Sequence, residues 1–138
     1  IFAELDESNS EWMSPGRVDS PVRKFFEGWI QAWETKDVEA YIDYYHSEFT
    51  AQGMSREDWR TFKRGLTKRY ATIQVGAESV HYYRHPKYSV VTFTQNYRST
   101  LVGSGSVGHQ SRGTKILYIA EQAGKPKIVA ETFTNRMW

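Results

Sequence analysis

The sequence changes period at Ala71, and that change constrains the fold more than any other feature. Upstream, Val22, Phe25, Phe26, Trp29, Ile30 and Trp33 recur at helical spacing behind Ser20-Pro21, a pair suited to an N-cap and first turn. Asp37 can cap a second, short helix carrying Val38, Tyr41, Ile42 and Tyr45. Ser55, with Asp58 three residues on, opens a third as a variant capping box; Trp59, Phe62, Leu66 and Tyr70 mark its expected buried face. Downstream, TIQVGAESVHYYR, KYSVVTFTQNYRST, GTKILYIAEQ and KPKIVAETFT alternate and are rich in β-branched and aromatic residues, the pattern of four strands.

Arg84 to Lys87 makes a tight first link between strands, Gly103 to Gly113 a long glycine-rich second, and Ala123 to Lys125 a short third. With no helix between strands, an antiparallel meander is expected. Helices first and sheet afterwards give the α+β class, with three N-terminal helices packed on a curved antiparallel sheet of four or more strands.

At 138 residues the chain suits one domain with a real core, and a net charge of +2 gives no whole-protein case for nucleic acid or anionic membranes. No apolar run reaches membrane-spanning length, so no membrane insertion is expected. Absence of Cys excludes disulfides, thiolate catalysis and Cys-based zinc sites. Residues 1–19, acidic and poorly patterned around Ser14-Pro15-Gly16, read as a linker or tether, with Phe2, Leu5, Trp12 and Met13 able to lie against the domain at 20–138. The opening Ile1 suggests a module cleaved or cut from something longer.

The wording of one long stretch, FFEGWIQAWETKDVEAYIDYYHSEFTAQGMSREDWRTFKRGL, together with VTFTQNYRS, GTKILYI and KPKIVAETF, resembles the nuclear transport factor 2-like superfamily. Ketosteroid isomerase-like proteins and polyketide cyclases share that fold. The resemblance covers roughly residues 20–134 and is nearest to domains appended to bacterial L,D-transpeptidases and other envelope proteins. One departure is Pro126, where family members usually carry Trp near the start of the last strand. The resemblance implies a cone with a central cavity, and with it a binding or scaffold module of the periplasm or cell envelope, the cytoplasm being the alternative. Dimerisation, which this fold often uses, would cover the sheet face carrying Ile116 and Tyr118.

A strongly bent sheet cannot close fully on three short helices, and large rings suit the gap. Residues 29–49 supply Trp29, Trp33, Tyr41, Tyr44, Tyr45 and Phe49, with Tyr44 off the main stripe and expected at the surface. Alternation puts Val91, Phe93, Gln95, Tyr97 and Ser99 on one strand face, so two polar groups stand in line with buried ones. Lys115 likewise shares a face with Leu117 and Ile119, which is costly unless it reaches water or a carboxylate, and Glu131 is the candidate. Either the pair orients an anionic or amide-bearing ligand at the cavity mouth, or it is an exposed cross-strand ion pair. The ligand-binding set is therefore Trp33, Tyr45, Gln95, Tyr97, Lys115 and Glu131, with a small molecule, a peptidoglycan-derived peptide or a protein as partner. On this reading Lys115→Ala or Tyr97→Phe weakens binding and leaves melting nearly unchanged.

Catalysis finds less support. The helix acids Glu34, Asp37, Glu39 and Asp43 fall on polar stripes or caps, and His46, expected to end the second helix, pairs only loosely with Glu48. No catalytic residue is assigned; the alternative is a small stand-alone isomerase, cyclase or dehydratase, which would need a buried carboxylate or imidazole at the cavity floor. Gly103, Gly105 and Gly108 have dinucleotide-motif spacing, but a strand follows where that motif needs a helix. His81 and His85 are four apart in an extended segment, so no metal or other cofactor is expected. Arg56, Arg60, Lys63, Arg64, Lys68 and Arg69 make the third helix basic, read as a solvated face balanced by the acidic N-terminus.

Overall fold

A computed structural model describes residues 11–13 and 20–135. The elements run β1 (Glu11–Met13), α1 (Ser20–Glu34), α2 (Val38–Ile42), β2 (Tyr45–Ala51), β3 (Met54–Ser55), α3 (Arg56–Arg69), β4 (Tyr70–Arg84), β5 (Ser89–Leu101), β6 (Val107–Gln122) and β7 (Lys125–Asn135). The fold is α+β, with N-terminal helices packed on one curved sheet of order β1-β4-β5-β6-β7-β2-β3.

The expected caps of the second and third helices operate as written. Asp37 accepts from the Ala40 amide, and Ser55 and Asp58 form a reciprocal capping box on α3. The stripe of α1 buries Phe25, Phe26, Trp29 and Trp33 against the sheet. Fully burying one such side chain contributes roughly 1.5–3 kcal/mol.

The four long strands form the expected antiparallel meander, and the sheet continues beyond it on both sides. β1 pairs with β4, placing Glu11–Met13 of the expected linker along the sheet; Phe2 and Leu5 lie outside the described residues. At the other edge β2 pairs in parallel with β7, so the sheet is mixed. Tyr45 and His46, expected at the end of the second helix, stand at the head of β2 instead. A helix of five residues leaves the backbone free to extend, and pairing Tyr45 with Ile128 seats its ring in the core.

Curvature comes from register shifts at several points, including one between Glu78 and His81, where Ser79 takes a left-handed φ of 53°. Ala123 and Gly124, both left-handed, turn β6 into β7. The glycine-rich link is shorter than expected, because β6 starts at Val107 and pairs with β5 from Thr100 onward. After Val107 the opening stretch of β6 to Arg112 lacks an apolar rhythm, so pairing rather than hydrophobicity extends the strand. Pro126 is accommodated within β7, opposite Glu121.

Two clusters of buried residues flank the sheet. The larger lies between helices and concave face; the smaller holds Tyr88, Val90, Tyr118, Val129 and Ala130. Tyr118, expected on a face open to a second copy, is buried within the chain itself. Phe62, expected on the buried face of α3, is 43% exposed at the rim. Tyr44 is only half-exposed, its ring edge-on to Phe25.

Candidate functional site

The site is built on the concave face, where cross-strand registers stack inward-pointing residues in rows. Val91, Leu117 and Glu131 form one row, Phe93, Lys115 and Phe133 the next, and Gln95, Gly113 and Asn135 the one after. Helix α3 brings Trp59, Lys63 and Leu66 over these rows, and α1 brings Trp33. Between them lies an open cavity of about 320 Å³. Gly113 lets β6 and β7 approach closely beside it. A Cβ there would lie 2.2 Å from the Thr134 carbonyl oxygen and 2.8 Å from the Phe133 ring.

Of the six residues expected at the site, Trp33, Gln95, Tyr97 and Lys115 line this cavity. Tyr45 and Glu131 are buried behind its wall. The lysine and glutamate form a buried ion pair on the inner face, with side chains 8% and 3% exposed, which removes the exposed-pair alternative. They are diagonal neighbours across β6 and β7, within reach of long side chains. Glu131 Oε2 accepts from Lys115, and its Oε1 lies 2.7 Å from the Tyr45 hydroxyl.

That hydroxyl also lies 2.7 Å from the Tyr41 hydroxyl and accepts from Trp29 Nε1 at 3.0 Å. With one proton to give, Tyr45 makes its strongest bond to the carboxylate, leaving Tyr41 to donate to the Tyr45 oxygen. Burial pushes the Glu131 carboxyl up, but the Lys115 charge and hydrogen bond, the Lys63 charge and the Tyr45 hydroxyl together hold it below 4.5. Burial and the nearby Glu131 charge raise Tyr41 and Tyr45 well above 10, so both remain protonated donors.

The residue that sequence reasoning missed is Lys63. Its ammonium stands 4.5 Å from the Trp33 ring centre, 4.8 Å from Trp59, 5.6 Å from Tyr41 and 5.8 Å from Phe62. Burial lowers its pKa from 10.5 to about 7; Glu131 pulls it back up and Lys115 pushes it further down. The signal was present, because Lys63 follows Trp59 by four and precedes Leu66 by three, on the helix's apolar stripe. Of the other basic residues of α3, three find partners nearer than the acidic N-terminus, which lies largely outside the described residues. Arg60 meets Glu57 and Arg64 meets Glu39, while Arg56 caps the Ile42 and Tyr45 carbonyls. His109 and Ser111 also line the cavity and went unnoticed because their stretch reads as loop.

Lys115 shares the Trp33 ring with Lys63, at 5.9 Å. When Lys63 is protonated, its charge and that of Lys115 both act on the Glu131 carboxylate. Tyr97 packs on Trp33 at 5.4 Å and on His109 at 5.7 Å. Gln95 is 4% exposed, and among the described residues its side-chain oxygen has no hydrogen-bond partner. Among the described residues, no group of three metal-ligating side chains comes together.

The Cds6 C-terminal NTF2-like domain family matches residues 21–132. The chain belongs to that family. Among solved structures, this NTF2-like domain is similar to Bd1075 of Bdellovibrio bacteriovorus, with 28% identity and a TM-score of 0.75 over 84% of this chain and 40% of that one. It shares 23% identity and a TM-score of 0.68 with the helical cell shape determining protein Pgp2 of Campylobacter jejuni, over 80% of this chain and 39% of Pgp2. An NTF2-like superfamily protein of Salmonella enterica matches at 8% identity and a TM-score of 0.72, over 85% of this chain and 89% of its own, a likeness of fold alone. The chain therefore spans about two fifths of the Bdellovibrio and Campylobacter proteins. No curated protein sequence matches it. Among the described residues, no helix is long and apolar enough to cross a membrane.

Proposed function

We propose that this domain is a non-catalytic accessory module of a cell-envelope protein, and that its cavity binds the carboxylate end of a small ligand or peptide, such as one released from peptidoglycan. The observation that carries the reading is the charge arrangement: Lys63 and Lys115 around the single carboxylate of Glu131, beside the unpartnered oxygen of Gln95. The excess positive charge suits an anion, and the orphaned oxygen suits a ligand N–H. A peptide C-terminus offers both. Trp33 and Tyr97 supply flat apolar walls for the rest of the ligand.

A hydrolytic or isomerising enzyme would want a free base at the cavity floor. Glu131 lies buried behind the wall, and with its pKa held low by Lys115 and Tyr45 it is a poor proton acceptor at neutral pH. Similarity to a cell-shape protein supports the envelope setting.

Calorimetric titration with a short peptide, as free acid and as C-terminal amide, tests the reading. The free acid is expected to bind at least tenfold tighter, with the preference lost in Lys63→Met and affinity reduced in Tyr97→Phe. Equal affinity for acid and amide, or turnover of the peptide, would overturn it.

A further inference from the structure

Lys63 has a chemistry that simple anion binding does not use. It is a primary amine set among four aromatic rings, beside a second ammonium, on the wall of a cavity large enough for a small molecule. Desolvation and a cationic neighbour are the two devices that keep a lysine amine neutral and nucleophilic. Its low pKa, about 7, agrees with that geometry. The titratable and charged groups around it are Lys115 and Glu131 from the sheet, Tyr41 from α2, Lys36 and Asp37 at the α1–α2 junction, and Tyr70, Tyr97 and His109 along the cavity wall.

We infer that Lys63 captures small carbonyl compounds bearing a carboxylate, such as α-keto acids, as an imine within the cavity. The neutral amine attacks the carbonyl carbon, forming the C–N bond and a carbinolamine. Solvent entering the open cavity protonates the departing oxygen and takes up the proton lost from the nitrogen. The carbonyl oxygen leaves as water, carrying in effect the two amine hydrogens, so no oxidant or reductant is consumed. With Lys63 neutral, the Lys115 ammonium on the same cavity wall is the group that meets the carboxylate of the compound. This inference stands on the amine and its surroundings, apart from the peptide reading, and either can fail alone.

The test uses the full chain with glyoxylate or pyruvate and cyanoborohydride, which reduces an imine to a stable amine, followed by peptide mapping. At pH 7 labelling of Lys63 is expected to outpace exposed Lys68 by about tenfold or more, to rise with pH through about 7 and then level, and to lose its advantage in denaturant. Lys63→Arg should abolish the fast phase while leaving the slow surface labelling. Labelling of Lys63 no faster than Lys68 in the folded wild-type chain, or an undiminished fast phase in Lys63→Arg, overturns the inference.

Discussion

Two lysines share the indole of Trp33 and are held there by different means. Lys115 comes from the sheet and meets its charge with Glu131, a carboxylate itself fixed by Tyr45. Lys63 comes from a helix and meets its charge mainly with ring faces, forming no ion pair among the described residues. A countercharge locks a buried cation into the fold, because removing either member strands the other in low dielectric. A ring quadrupole holds a cation with less energy and leaves its donors free for a ligand. One lysine is therefore framework and the other is available.

The sharpest way to break this contrast is Lys115→Ala, which leaves Glu131 buried and unpaired. It should cost about 3–5 kcal/mol, seen in chemical denaturation, whereas Lys115→Met with Glu131→Leu should recover most of the loss. That replaces the sequence-based expectation of nearly unchanged melting, which foresaw the Glu131 partner but not how deeply the pair is buried. Tyr45→Phe removes the hydroxyl that donates to Glu131 and should cost about 1.5–3 kcal/mol by the same measurement. Acid unfolding sharpens the comparison further. The folded Glu131 carboxyl sits below 4.5, so its stabilising contribution is complete above that value and is lost as pH falls through its depressed pKa. The double variant should show a shallower acid limb.

The smallest effect belongs to Lys63→Met, expected within about 1 kcal/mol of wild type at pH 7, since a methionine fills the same ring-lined space. Its signature is a slope. The Lys63 pKa falls from 10.5 to about 7 on folding, so the unfolded chain binds more protons between those values and wild-type stability should rise with pH across them. Lys63→Met should lack that rise in melts at pH 7 and 9. An identical slope in both proteins would remove the special status given to this amine.

Much of the framework was readable in the chain. The capping box at Ser55, the stripe of α1 and the alternation of Val91 to Ser99 each depend on neighbours a few residues apart. Lys115 was suspect because its apolar strand neighbours demanded a partner, and Glu131 was the nearest acid able to serve. Lys63 was hidden by company of its own kind. Five other Lys and Arg residues on α3 suggested a solvated face, and only the spacing from Trp59 spoke against it. β2 was missed because its rings continue a helix-like series that runs out after Ile42.

Local periodicity, caps and turns determined the three helices, the four long strands and their order, since those interactions close within a few residues and are fixed by side-chain type and spacing. Tertiary structure alone decided what the inward-facing residues meet. The parallel docking of β2 on β7 carries Tyr45 to Glu131 across 86 positions of chain, and the packing of α3 over the sheet carries Lys63 to Trp33. Such encounters depend on sheet register and curvature, which are properties of the whole folded chain and of no single segment.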